Sequence, residues 1–131
     1  MNEVTPAQLV TVIADFLDMG HVDNIVAMFK QDHTCLALAG AVIQEERMMV
    51  RMGMAVLFEE LAVVLPAETL DLAVPSLLAA MAHPASYVRG DAAYLLATIG
   101  SARAQSALLS CQDDPDPQVA AVIQEALLGQ R

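Results

Sequence analysis

The sequence lacks tryptophan, and its other aromatic residues are scarce: three Phe and two Tyr among 131 residues. The hydrophobic share is nevertheless 56%, supplied in large part by 23 Ala and 17 Leu. Ala and Leu are among the strongest helix formers, whereas the aromatic residues that favour strands are nearly missing. This composition predicts a domain of short, closely packed helices.

Basic residues are also few. Six Lys and Arg against sixteen Asp and Glu give a formal charge of −10. Proteins that bind nucleic acid rely on clustered Lys and Arg, and an anionic membrane surface repels a negatively charged protein. The charge therefore excludes both kinds of partner, while the apolar share excludes a disordered chain.

No hydrophobic run is long enough to predict a membrane span. The longest stretch without a charged residue, Leu72 to Val88, contains two prolines and falls short of the roughly 20 apolar residues that a bilayer requires. The acidic start Met1-Asn2-Glu3 does not resemble a secretory signal. We therefore expect a cytoplasmic protein.

Cysteine is limited to Cys35 and Cys111, which lie 76 positions apart without a second ligand-type residue at metal-binding spacing. The expectation is two free thiols in a reducing compartment. A single long-range disulfide remains an alternative.

Apolar periodicity and cap residues divide the chain into about eight helices in one all-α domain, residues 1–131. Thr5, Pro6 and Gln8 predict a capping box with proline in the first turn. Gly20 and Gly100 are expected to end helices. Helices are predicted near residues 6–19, 21–31, 34–44, 46–64, 70–82, 86–99, 102–111 and 117–128, the last three capped by Ser86, Ser101 and Asp116.

The sequence contains an internal repeat. Residues 88–96 align with residues 50–58, since both begin with Val-Arg and have Ala five positions after the Val. Residues 119–127 form a third copy with Ala120 in place of the arginine, and the offsets are 38 and 31 residues. Each copy follows a shorter predicted helix, so the repeating unit is a helix pair.

This helix pair, with Val-Arg opening its second helix, resembles the HEAT repeat, most closely the HEAT-like subtype also found in phycobilisome lyases. The resemblance implies a short right-handed α-solenoid of four antiparallel helix pairs. Residues 34–64, 70–99 and 102–129 would be repeats, and residues 1–32 an N-terminal capping pair. Pro75 fits the kinked first helix that is common in the family.

The arginines of the repeat are predicted to hold it together. Arg89 is expected to bond the turn carbonyls, or the carboxylate of Asp113 or Asp114 in the next repeat. Arg51 occupies the equivalent position in the preceding copy. A direct role of either arginine in ligand binding remains an alternative.

Signals of catalysis or metal binding are weak, and the sequence predicts no enzyme, no cofactor and no metal site. It contains no nucleophile elbow, P-loop or zinc-protease motif. Met48, Met49, Met52 and Met54 are interpreted as core filler, with a copper(I) site as the alternative. Residues 113–116 are interpreted as a capped turn, because they lack the alternating oxygens and the glycine of a calcium loop.

In HEAT-family members the second helix of each pair lines the concave face, which implies that binding residues lie there. The positions off the buried stripes are predicted to bind the partner: Val56, Glu59, Glu60, Asp91, Tyr94 and Glu125. Tyr94 would be the aromatic anchor, although all six could instead be plain solvated surface.

The predicted function is a non-catalytic protein-interaction module, an adaptor, scaffold or assembly factor for a partner with a basic segment. The alternative is a cofactor-handling lyase or chaperone of the bilin-lyase type. The sequence leaves open whether two copies form a homodimer.

Overall fold

A computed structural model describes residues 4–129, and the regular elements within that range are all helical. The all-α prediction is confirmed for these residues. The α-helices are α1 (Pro6–Asp18), α2 (Val22–Gln31), α3 (Ala39–Val42), α4 (Met48–Val64), α5 (Ala67–Leu70), α6 (Val74–Ala80), α7 (Ser86–Ile99), α8 (Ala102–Ser110) and α9 (Pro117–Leu128); 3-10 helices cover His33–Leu38 and Asp71–Ala73.

Local cap signals give several of the helix ends. The capping box of α1 is present, with Thr5 and Gln8 bonded to each other's backbone N–H groups. Gly20 and Gly100 have left-handed φ angles of 84° and 67°, which favour glycine. Ser101 caps α8 by accepting a bond from the N–H of Ala104.

The predicted cap at Ser86 is wrong. The N-cap of α7 is Ala85, and Ser86 is the first helical residue. The ring of His83 accepts the N–H of Ala85 at 3.0 Å instead. The His83 side chain thus satisfies the backbone N–H of the N-cap residue, which has no partner within the helix.

The helix predicted over residues 34–44 is also wrong as a continuous α-helix. The 3-10 helix His33–Leu38 comes first, and one α-helical turn, Ala39–Val42, follows it. The helix predicted over residues 70–82 is broken in a similar way, and α6 begins only at Val74 with Pro75 in its first turn. Proline has no N–H to donate, so it fits a helix start better than a helix interior.

A close backbone contact joins these two irregular segments. The Gly40 N–H donates to the Ser76 hydroxyl at 2.9 Å. A Cβ atom at residue 40 would lie 2.2 Å from the Ser76 carbonyl oxygen, a distance that no side chain tolerates. Glycine at this position therefore allows α3 to pack directly on α6.

The buried core is continuous from α1 to α9. Val88, Ala92, Leu95, Leu96 and Ile99 are all buried and form one apolar stripe along α7. Helix α7 packs against α4 on one side and α9 on the other, and α4 also packs against α1 and α2. This order brings the segments of the sequence repeat, on α4, α7 and α9, next to one another.

Within residues 4–129, no helix combines the length and the apolar character that crossing a membrane requires.

Candidate partner-binding groove

An open groove of about 450 Å³ lies between the N-terminal halves of α4, α7 and α9. We refer to it as the α4–α7–α9 groove. Its walls are Met48, Arg51, Met52 and Ala55 from α4; Ser86, Tyr87, Gly90, Asp91 and Tyr94 from α7; and Asp116, Gln118, Val119 and Val122 from α9 and its cap. The groove therefore crosses all three segments of the sequence repeat.

The α4 wall exists because this helix carries apolar residues on two faces. One face, which includes Val50 and Met54, is buried. Met48, Met52 and Ala55 follow one another at helical spacing on another face, and Met48 and Met52 are 58% and 57% exposed. The core-filler interpretation is thus wrong for these two residues and for the exposed Met49, and it is right for Met54.

Arg51 and Asp91 form an ion pair within the groove. The Arg51 Nε lies 2.7 Å from a carboxylate oxygen of Asp91, and the guanidinium lies over the Tyr87 ring, 4.5 Å from its centroid. The hydrogen bond to Asp91 raises the pKa of Arg51. Asp91, predicted as a partner-binding residue, is therefore half-buried and already paired, and Arg51 contacts a helix instead of turn carbonyls.

Two of the predicted partner-binding residues meet directly. The Tyr94 hydroxyl donates a hydrogen bond to the Glu59 carboxylate. This bond and partial burial raise the pKa of Tyr94, so the phenol stays protonated and remains a donor. Tyr94 is 42% exposed, which leaves one side of its ring open towards the groove.

The remaining predicted partner-binding residues are more dispersed. Val56 and Glu125 are exposed, and neither contributes to the walls of the groove. Glu60 lines a second groove between α2 and α4, together with Lys30 and Val63. Of the six predicted residues, only Asp91 and Tyr94 line the walls of the α4–α7–α9 groove.

Arg89 makes the contact predicted for it, outside the groove. Its Nε and Nη2 atoms donate to Asp114 at 2.8 and 3.1 Å, and its Nη1 donates to the carbonyls of His83 and Pro84 at 2.9 and 3.0 Å. The hydrogen bonds from Arg89 hold the pKa of Asp114 below its usual value. Asp113 is exposed and accepts none of these bonds.

Asp116 at the end of the groove serves as the cap of α9. Its carboxylate accepts the N–H groups of Gln118 and Val119 at 2.8 and 3.3 Å. The predicted cap is confirmed. Within the acidic segment 113–116, Asp114 binds Arg89 and Asp116 caps α9. Within residues 4–129, no three His, Cys, Asp or Glu side chains lie close enough together to hold a metal ion.

Cys35 and Cys111 are both free thiols. Burial raises the pKa of Cys35, which keeps that thiol protonated and poorly reactive.

Sequence reasoning missed Met48, Met52 and Tyr87 as groove residues. Met48 and Met52 could have been recognised from their spacing of one helical turn. They lie on a different face of α4 from Val50 and Met54, which contribute to the core. Tyr87 directly precedes the Val-Arg pair, but nothing in the sequence places it beneath Arg51. Comparison of the chain with models of protein families, with curated proteins and with solved structures gives no match.

Proposed function

We propose that this chain is a small right-handed α-solenoid of antiparallel HEAT-like helix pairs that binds another protein in the α4–α7–α9 groove. It acts in the cytoplasm as an adaptor, scaffold or assembly factor and has no catalytic activity of its own. The observation that carries this proposal is the presence of Met48, Met52 and Tyr94, all exposed, in the walls of one groove. Exposed apolar side chains gathered in one place mark interaction surfaces.

The order of the helices supports the solenoid part of the proposal. Helices α4, α7 and α9 are separated by 38 and 31 residues in the repeat and pack in that same order. Stacked helix pairs that contact only their neighbours build extended binding surfaces. A groove that crosses three successive repeats is the surface expected of such a stack.

The charge of the chain favours a basic partner segment. The formal charge is −10, and the exposed Glu59 carboxylate lies against Tyr94 at the groove. Opposite charges on the two partners accelerate association, and salt reduces the effect. Binding is therefore expected to weaken as the salt concentration rises.

Affinity capture from cell extract tests this function. The wild-type chain is compared with a groove double variant, Tyr94→Ala with Glu59→Lys, and with a matched control, Val63→Ala with Glu60→Lys. Both double variants change α4, alter the charge equally and remove one apolar side chain, but the control changes only the α2–α4 groove.

The groove variant is expected to lose a partner that the control keeps. Recovery of identical partners by wild type and groove variant contradicts the proposal. Light scattering on the purified chain adds a second criterion, since it shows whether the captured partner is a second copy of the chain.

A further inference from the structure

We propose that the occupant of the α4–α7–α9 groove is an amphipathic α-helix that carries Lys or Arg beside its apolar face. This inference rests on the proposed function, and it specifies the secondary structure and the charge of the bound segment.

The backbone of the walls favours a helical occupant. All three walls belong to α-helices, whose interior N–H and C=O groups are bonded within the helix. One common way to hold an extended peptide is through main-chain hydrogen bonds to a free sheet edge, and residues 4–129 contain no strand. An extended occupant would bury unpaired backbone groups at a cost in free energy. A helix satisfies its own backbone.

The polar side chains of the walls lead to the same conclusion, because most of them already have partners. Arg51 is paired with Asp91, Asp116 accepts the N–H groups of α9, and the Tyr94 hydroxyl donates to Glu59. Few side chains therefore remain to bond an extended main chain. What the groove offers is apolar contact.

The apolar walls match the face of a helix. Met48 and Met52 lie one turn apart on α4, and Val122 faces the same groove from α9. Thioether side chains are unbranched and adapt to differently shaped partners. Helices that bind in such grooves use apolar anchors at positions i, i+3, i+4 and i+7.

Two exposed carboxylates lie on the same helix faces as the groove walls, and they favour a positively charged occupant. Glu59 lies one turn beyond Ala55 on α4, and Glu125 lies three residues beyond Val122 on α9. Residues at these spacings share a helix face, and both glutamates are exposed. Lys or Arg flanking the apolar face of the occupant would meet them, whereas an acidic helix would be repelled.

The test is a titration of the full chain, ¹³C-labelled at its methionine methyl groups, with synthetic peptides of about 18 residues, or five helical turns. The first peptide places Leu on one helical face and Lys on the other. The second has the same composition in scrambled order, and the third has Glu in place of Lys. The resonances of Met48 and Met52 are expected to shift with the first peptide, while buried Met81, which lies outside the walls of the groove, serves as the internal control.

The first peptide is expected to bind at least about tenfold more tightly than either of the others. Met52→Lys should weaken its binding by about tenfold. Met19→Lys should leave the affinity unchanged, because Met19 is exposed but lies outside the groove. Melting curves confirm that each variant is folded.

Three results would overturn the inference: no shift at Met48 and Met52, equal binding of the scrambled or the acidic peptide, or equal loss with both lysine variants. Each concerns only the occupant. The capture experiment uses no peptide and assumes no helix, so it tests the proposed function separately.

Discussion

Arg51 and Arg89 occupy the same position of the sequence repeat but make different contacts. The Arg89 side chain is 13% exposed and its partner Asp114 is 5% exposed, and the arginine also bonds two loop carbonyls. Arg51 and Asp91 are 23% and 28% exposed, and their pair lies in the wall of the groove. Equivalent arginines therefore shape a surface in the first copy of the repeat and close a loop in the second.

The helix packed against each arginine-bearing helix accounts for the difference. Asp91 lies three residues after Val88, and Val122 occupies the matching position after Val119 in the third copy. Arg51 thus finds a carboxylate on the neighbouring helix, whereas Arg89 would face an aliphatic side chain there. Its guanidinium bonds Asp114 in the loop before α9 instead. The repeat position specifies an arginine, and the neighbouring copy determines what that arginine does.

The largest effect is expected for Arg89→Ala. The substitution leaves the Asp114 carboxylate, whose side chain is only 5% exposed, without its partner, and a largely desolvated charge without a partner is strongly destabilising. The melting temperature should fall by roughly 10 °C, as measured by circular dichroism. Arg103→Ala is the matched control, because Arg103 is exposed on α8. An unchanged melting curve for Arg89→Ala would contradict the structural role.

The same pair predicts a dependence on pH. The pKa of Asp114 is lowered in the folded chain by its bonds from Arg89. Its stabilising contribution is therefore complete above the usual carboxyl pKa of about 4, and it is lost as the pH falls through the lowered value. Asp114→Asn should lower the melting temperature at pH 7 by about 5 °C or more, and this difference should shrink in strong acid. A difference that is constant with pH would exclude the carboxylate as its source.

A smaller effect is expected for Arg51→Ala, since its pair is more exposed and solvent weakens it. The melting temperature should fall by about 3 °C. Because Arg51 and Asp91 contact each other, Arg51→Ala and Asp91→Ala together should cost less than the sum of the two single changes. Arg51→Lys retains the charge but not the two-point contact, so its melting temperature should be only slightly higher than that of Arg51→Ala. Strict additivity would show that the pair does not couple.

Local signals made much of this structure predictable. The caps at Thr5, Ser101 and Asp116 depend on residues within three positions of the cap. The buried stripe of α7 follows from the helical spacing of its apolar residues. The close packing of Gly40 against Ser76, 36 positions away, is by contrast a contact that no local pattern reveals.

The groove was less predictable for two reasons. Helix α4 is apolar on more than one face, and periodicity alone does not show which face the neighbouring helices cover. Glu59 and Glu60 are adjacent in sequence, yet successive residues of a helix point about 100° apart. One contacts Tyr94, and the other lines the groove beside α2.

The smallest effect is expected for Arg47→Ala, and it separates surface pairing from the Arg89 contact most clearly. Arg47 precedes α4 and lies 3.1 Å from carboxylate oxygens of both Asp15 and Asp18 on α1, and 3.2 Å from Glu45. The arginine side chain is 40% exposed, so water and salt screen these contacts.

The melting temperature of Arg47→Ala should therefore lie within about 2 °C of wild type at physiological salt. The difference should be larger at about 0.01 M salt, where charges interact over a Debye length of roughly 30 Å before they are screened. It should vanish near 1 M salt. The Arg89→Ala difference should persist at all three salt concentrations, because salt screens a partly buried pair much less than an exposed one. If the two variants responded equally to salt, burial would not be what distinguishes these arginines, and the loop contact of Arg89 would have to be regarded as another surface pair.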